Sequence, residues 1–165
     1  MVGLSILDIK TFMARILTGT MFDKFYLTDG EIETFTDFHL GGYLNRPYFD
    51  SEEWEGLGGR EWCLWSEVKP FAFQLMKGHK LPVRFKLVFQ LSDENTRWLI
   101  EKHHPPVKPE DVAGLFMNIT YDHQKLTCTS GISYKTFIMD KTLEHIWDDT
   151  AGQYFKQNQI AVEKL

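Results

Sequence analysis

Cys128 lies in the stretch Lys125 to Phe137, KLTCTSGISYKTF, between two threonines and just ahead of Ser130 and Gly131. Nucleophilic catalysis from such a thiol needs a histidine base in reach and a further group that orients the base. His123, on YDHQK, and His145, on the segment that follows, are the candidates, and together they would make a small hydrolase or transferase. Strand alternation opposes the pairing. Counting from Leu126, Cys128 shares the face of Leu126 while Thr127 and Thr129 share the other, so the thiol is expected to face a core. There it acts as a small hydrophobe whose pKa is raised. Gly131 stands alone, with no GxSxG and no glycine-rich phosphate loop around it. The sequence therefore assigns no catalytic residue, and the reading leans away from an enzyme.

Metal chemistry has a permissive pattern and little else. Glu144 with Asp148, and His145 with Asp149, are each four apart on one helix, and His103 and His104 could add a ligand from a linker. That spacing is common on solvated helix faces, so neither a metal nor another cofactor is expected.

Charge distribution is more informative. The chain has a net charge of −5, yet Ile9 to Phe22 and Val68 to Ser92 contain no acid. The first segment carries Lys10 and Arg15, and the second carries Lys69, Lys77, Lys80, Arg84 and Lys86. Two acid-free helices could together present a basic face, which phosphate contact requires. Lys10, Arg15, Lys69, Lys77 and Lys80 are thus the candidate nucleic-acid contacts. A second surface candidate is the cluster Trp54, Trp62 and Trp65 beside the acidic stretch DSEEWEGLGGRE, since tryptophan is enriched at protein interfaces.

The elements that must position these residues follow from periodicity. Ile9, Phe12, Met13, Ile16 and Leu17 mark one face of a helix opened by Asp8 and closed by Gly19. In FYLTDGEIETF, Asp29-Gly30 between β-rich runs predicts a two-residue hairpin with Leu27 opposite Ile32. A third strand runs on through Phe38 and Leu40, and Asp50 to Glu61 reads as a surface loop. Val68, Phe71, Ala72, Leu75 and Met76 predict a second helix, with Ser66 as its cap and Pro70 in its first turn. VRFKLVFQL is a strand, Ser92 caps a short helix, and the last third is a meander followed by a helix from Asp140. That last helix buries Leu143, Ile146, Trp147, Ala151, Tyr154 and Phe155.

DIKTFMARILTG, from Asp8, lies without a gap on EVKPFAFQLMKG, from Glu67. The expected fold is therefore α+β: antiparallel sheet from two β-α-β-β-β halves, about residues 4–49 and 62–139, with a C-terminal helix over 140–157, all in a single domain of residues 1–165. In element order alone this resembles a domain of the DNA sliding clamps, whose helices face DNA and whose sheets face outward; no clamp sequence motif is present. Taken in order, FYLTDGEIETF, KLPVRFKLVFQLSDEN, FMNITYDHQKLTCTSGISYKTF and DKTLEHIWDD resemble an uncharacterised protein family of clostridial gut bacteria over nearly the whole chain. That resemblance implies a bacterial cytosolic origin and carries no activity or ligand.

Composition agrees with a folded domain: 43% of residues are hydrophobic, 15% aromatic and 25% charged. Two cysteines cannot build a disulfide framework, and the N-terminus has no basic stretch ahead of an apolar one, so a cytoplasmic location is expected. No 18-residue apolar run is present, which excludes a spanning helix. The partner is expected to be nucleic acid or protein, with a homo-oligomer as a further option.

Overall fold

A computed structural model describes residues 1–78 and 80–165, and the protein is α+β. In chain order the strands are β1 (Gly3–Ile6), β2 (Tyr26–Glu33), β3 (Asp37–Gly41), β4 (Cys63–Leu64), β5 (Arg84–Gln90), β6 (Val112–Asp122), β7 (Lys125–Tyr134) and β8 (Val162–Lys164). The helices are α1 (Ile9–Leu17), α2 (Ser51–Gly56), α3 (Trp65–Met76), α4 (Asp93–His103) and α5 (Thr142–Gln157). Seven strands form one antiparallel sheet in the order β3-β2-β5-β6-β7-β1-β8, and β4 pairs with the start of β2.

Alternation gives the sheet two faces. Ile32, Phe85, Leu87, Phe89, Leu115, Met117, Ile119, Leu126, Cys128, Leu4 and Ile6 lie in one buried cluster with Phe12 and Ile16 of α1, Trp65 and Ala72 of α3, and Leu143, Trp147 and Phe155 of α5. The opposite face carries Glu31, Glu33, Arg84, Lys86, Asn118, Thr120, Thr127 and Thr129. α1 packs against α3, α3 against β2, and α5 against β7.

Aromatic rings join the layers. Phe22, on the α1–β2 connection, stacks flat on Phe89 of β5 at 4.3 Å between centroids, and Phe12, Phe25 and Tyr154 meet Phe22 edge-on or tilted. Trp65 stands edge-on to the same Phe89 and donates its indole N–H to the Ile16 carbonyl at 2.8 Å, so α3, α1 and β5 meet at one ring.

Several expectations change in the structure. Asp29-Gly30 does not turn: β2 runs through it, and the reversal comes at Thr34–Thr36. Gly30 is buried, and a Cβ there would come to 3.3 Å from Leu40 and Leu87, so this glycine serves strand packing rather than a turn. The two-residue hairpin is elsewhere, at His123-Gln124 between β6 and β7, where both residues are left-handed with φ of 49° and 62°. The stretch expected to be a loop contains α2, opened by a capping box between Asp50 and Glu53.

α3 also starts earlier than its spacing predicts. Its cap is Leu64 rather than Ser66, Glu67 reaches back to accept the Leu64 N–H at 2.8 Å, and Pro70 lies in the second turn. The buried stripe shifts accordingly to Trp65, Ala72 and Met76, and Phe71 points outward with 68% of its surface exposed. The gapless helix alignment therefore pairs Asp8, a helix cap, with Glu67, a third helical residue, and buried Phe12 with exposed Phe71. The halves differ in elements too: α4 separates β5 from β6, while a 3-10 turn (Arg46–Tyr48) and α2 follow β3.

Phe22→Ala is expected to destabilise the fold by about 3–5 kcal/mol, because the vacated site is walled by rings that cannot collapse into it. Phe71→Ala should stay within about 0.5 kcal/mol of the parent. Urea denaturation of both variants checks the pair, and equal losses would mean that α3 buries a different face.

Candidate functional site

Cys128 is fully buried on the inner face of β7, opposite Leu4 of β1 and Ile119 of β6. Burial pushes its thiol up to about 12. His123 occupies the β6–β7 turn, its side chain 90% exposed, with Nδ1 2.8 Å from the Asp122 carboxylate. Cys128 is on the fourth rung of the ladder from that turn, roughly 13 Å away at about 3.3 Å per residue. His145 lies on the exposed side of α5, away from buried Leu143 and Trp147. The fold brings neither histidine to the thiol. Cys63 is half-buried, donates to the Leu27 carbonyl, and is pushed up to about 11, chiefly by desolvation.

The carboxylates with helical spacing serve the packing of β1. Glu144 and Asp148 accept from the Met1 amine at 2.7 and 3.1 Å, and Asp148 also accepts from the Ser130 hydroxyl at 2.5 Å. These bonds hold the Glu144 carboxyl below its usual range. Among the described residues no group of three or more His, Cys, Asp or Glu side chains is placed to hold a metal ion.

The five basic candidates separate into two groups. Lys69 is spent on structure: its ammonium donates to the Gly19 carbonyl at 2.8 Å and to Asp23 at 2.7 Å, with its side chain only 17% exposed. This contact ties α3 to the end of α1. Lys10 is exposed on α1, Arg15 is exposed and donates to the Gln159 side chain at 3.1 Å, and Lys77 and Lys80 are exposed just past α3. α1 carries no acid, and the acid on α3, Glu67, is gripped by both Arg60 amines at 2.8 and 3.0 Å. The outer helix surface thus keeps cations, with the exposed Asp8 carboxylate, bonded to Thr11, beside Lys10 at the start of α1. It also exposes Phe71.

The three tryptophans do not form one patch. Trp65 is core, Trp62 is half-buried edge-on to Tyr43, and Trp54 packs on Phe49 beneath the Arg46 guanidinium. Sequence reasoning missed Gln90, a buried amide at the end of β5 that lines a cleft with Trp62 and Phe116. The sequence carried no signal for it: in VRFKLVFQL the glutamine falls in phase with Arg84 and Lys86, on the side that alternation turns away from the core.

Residues 15–163 match the model of DUF5721, a family of unknown function. The chain belongs to that family. No curated protein and no solved structure matches it. Among the described residues no helix is long and apolar enough to cross a membrane.

The raised thiols make two measurable outcomes. Native protein at neutral pH should leave Cys128 unreacted with a thiol reagent until urea unfolds it, with Cys63 reacting slowly. A folded-state pKa near 12 against an ordinary 9.0 means that the native state holds its proton longer. The associated stability is complete below pH 9 and is lost as pH rises toward 12. Cys128→Ala should flatten that alkaline loss in urea titrations taken across the same range.

Proposed function

We propose that the chain is a non-enzymatic binding domain whose helix layer contacts nucleic-acid phosphates. One observation carries this reading: α1 and α3 lie side by side with Lys10, Arg15 and Lys77 exposed, while the acid on α3 is neutralised by Arg60. Such a surface attracts a phosphate backbone despite the net charge of −5, because screening limits each charge to about 8–10 Å. Exposed Phe71 adds a ring on which an unpaired base can stack.

The same reading treats residues 1–165 as a single domain whose two halves are related and whose layout is clamp-like. In its favour, β2 and β5, each the first long strand after a helix, are antiparallel neighbours within the sheet, and their helices touch. We also place the protein in the cytoplasm, a choice supported by two thiols that are not bridged.

Fluorescence anisotropy with labelled duplex and single-stranded DNA at low salt tests the proposal. About three phosphate contacts, from Lys10, Arg15 and Lys77, predict a log–log salt slope of roughly −3. Reversing all three to Glu should weaken binding at least tenfold, whereas Lys69→Met should lower stability and leave the affinity of the folded protein unchanged. Salt-insensitive or absent binding would remove the nucleic-acid reading. A clamp-like layout would close a ring only from several copies of this domain, so a monomer or dimer in sedimentation would count against such a ring and leave the binding reading intact.

A further inference from the structure

Beside α4, on the side away from the basic helices, lies a cleft of about 680 Å³, within the size range of small-molecule sites. Gln90 lines it and is 95% buried, with 5% of its surface exposed. Its amide nitrogen donates one long bond, 3.3 Å, to the Ala113 carbonyl, and among the described residues its amide oxygen accepts none. The Gln90 oxygen is not sealed off: among the described residues the buried side-chain polar atom without a partner is the Tyr134 hydroxyl, so the Gln90 amide oxygen opens onto the cleft. One acceptor and one further N–H are therefore free on a side chain held at the cleft wall.

That amide is held in place. Gly114 lies against it: a Cβ there would come to 2.9 Å from the Gln90 amide carbon and 2.7 Å from the Phe116 ring, so glycine lets both press onto the backbone. Trp62 forms another wall, its carbonyl bonded by Arg60 at 2.9 Å and its ring braced edge-on by Tyr43 at 5.5 Å. The rim has both signs of charge. Glu61 and Glu110 supply carboxylates and Arg97 and Lys135 supply cations, and among the described residues none of these four side chains is ion-paired or hydrogen-bonded. A further lining carboxylate, Asp93, already accepts from the Tyr26 hydroxyl at 3.1 Å.

We propose that this cleft binds a short zwitterionic peptide, with Gln90 pairing with its amide. The free acceptor and donor of one side-chain amide match the N–H and C=O of a peptide group. Apolar walls from Trp62 and Phe116 take its side chains. Arg97 and Lys135 meet its carboxylate, while Glu61 and Glu110 meet its ammonium. A ligand of one sign would leave half of that rim repelling it. This site is independent of the nucleic-acid reading, which uses the other helices.

The test is NMR titration of the ¹⁵N-labelled full chain with a panel of dipeptides covering apolar, aromatic, acidic and basic side chains. The Gln90 side-chain amide and the Trp62 indole N–H are followed. At least one dipeptide should shift both signals saturably, with Kd of about 1 mM or tighter. Its N-acetylated and C-amidated forms, and the free amino acids, should bind at least tenfold more weakly. Gln90→Met should reduce affinity at least tenfold, and if that variant does not fold, exposed Arg97→Gln should weaken the parent dipeptide and leave the C-amidated form unaffected. No saturable shift from any dipeptide, equal binding of the blocked forms, or indifference to these substitutions would overturn the proposal.

Discussion

Phe22 lying flat on Phe89 is the contact on which the other packing depends. It joins the connection after α1 to the inner face of β5, and Phe12, Phe25, Tyr154 and Trp65 are arranged around the two rings. Through them α1, α3 and α5 all dock on the same region of the sheet. Aromatic pairs favour particular offsets and tilts, so this cluster fixes helix positions as well as burying surface. Three large rings end on backbone carbonyls: Trp65 on Ile16, Trp147 on Phe116, and Tyr154 on Met21. Each ring thereby locks one element to another.

Several residues whose types promised chemistry are consumed by this assembly. Lys69 bridges Gly19 and Asp23, Glu67 serves at once as the reach-back group of α3 and as the partner of Arg60, and Glu144 with Asp148 holds the first residues of the chain. Partly buried charges of this kind lose much of their hydration and need fixed partners. The cations left over, Lys10, Arg15, Lys77 and Lys80, are those that packing did not require. The same reasoning singles out Gln90, a buried polar group whose capacity the fold leaves partly unused.

Local patterns proved readable where one element alone determines the outcome. The cap at Asp8, the buried stripe of α1 and the inward alternation of Cys128 each depend on neighbours a few residues away. Patterns failed where a distant strand supplies the competing contact. Asp29-Gly30 has turn chemistry, but pairing with β5 on one side and β3 on the other outweighs a reversal there. In α3 two spacings fit the apolar residues, and Trp65 docking on Phe89 selects the one that leaves Phe71 outside. The glutamine at the end of β5 reads as one more outward polar residue in phase with Arg84 and Lys86, and its burial is due to cleft partners some thirty residues away in each direction.

By itself the sequence determined the α+β class, the side-chain caps at Asp8 and Ser92, the strand-rich last third and the acid-free character of α1, because periodicity, capping and charge are properties of contiguous residues. The tertiary structure decided the single sheet order, which lysine became structural, that neither His123 nor His145 meets Cys128, and that an amide, two aromatic walls and a mixed-charge rim converge beside α4. Those outcomes rest on contacts between residues far apart in the chain. Burial acts on them through distance in space, which no local pattern encodes.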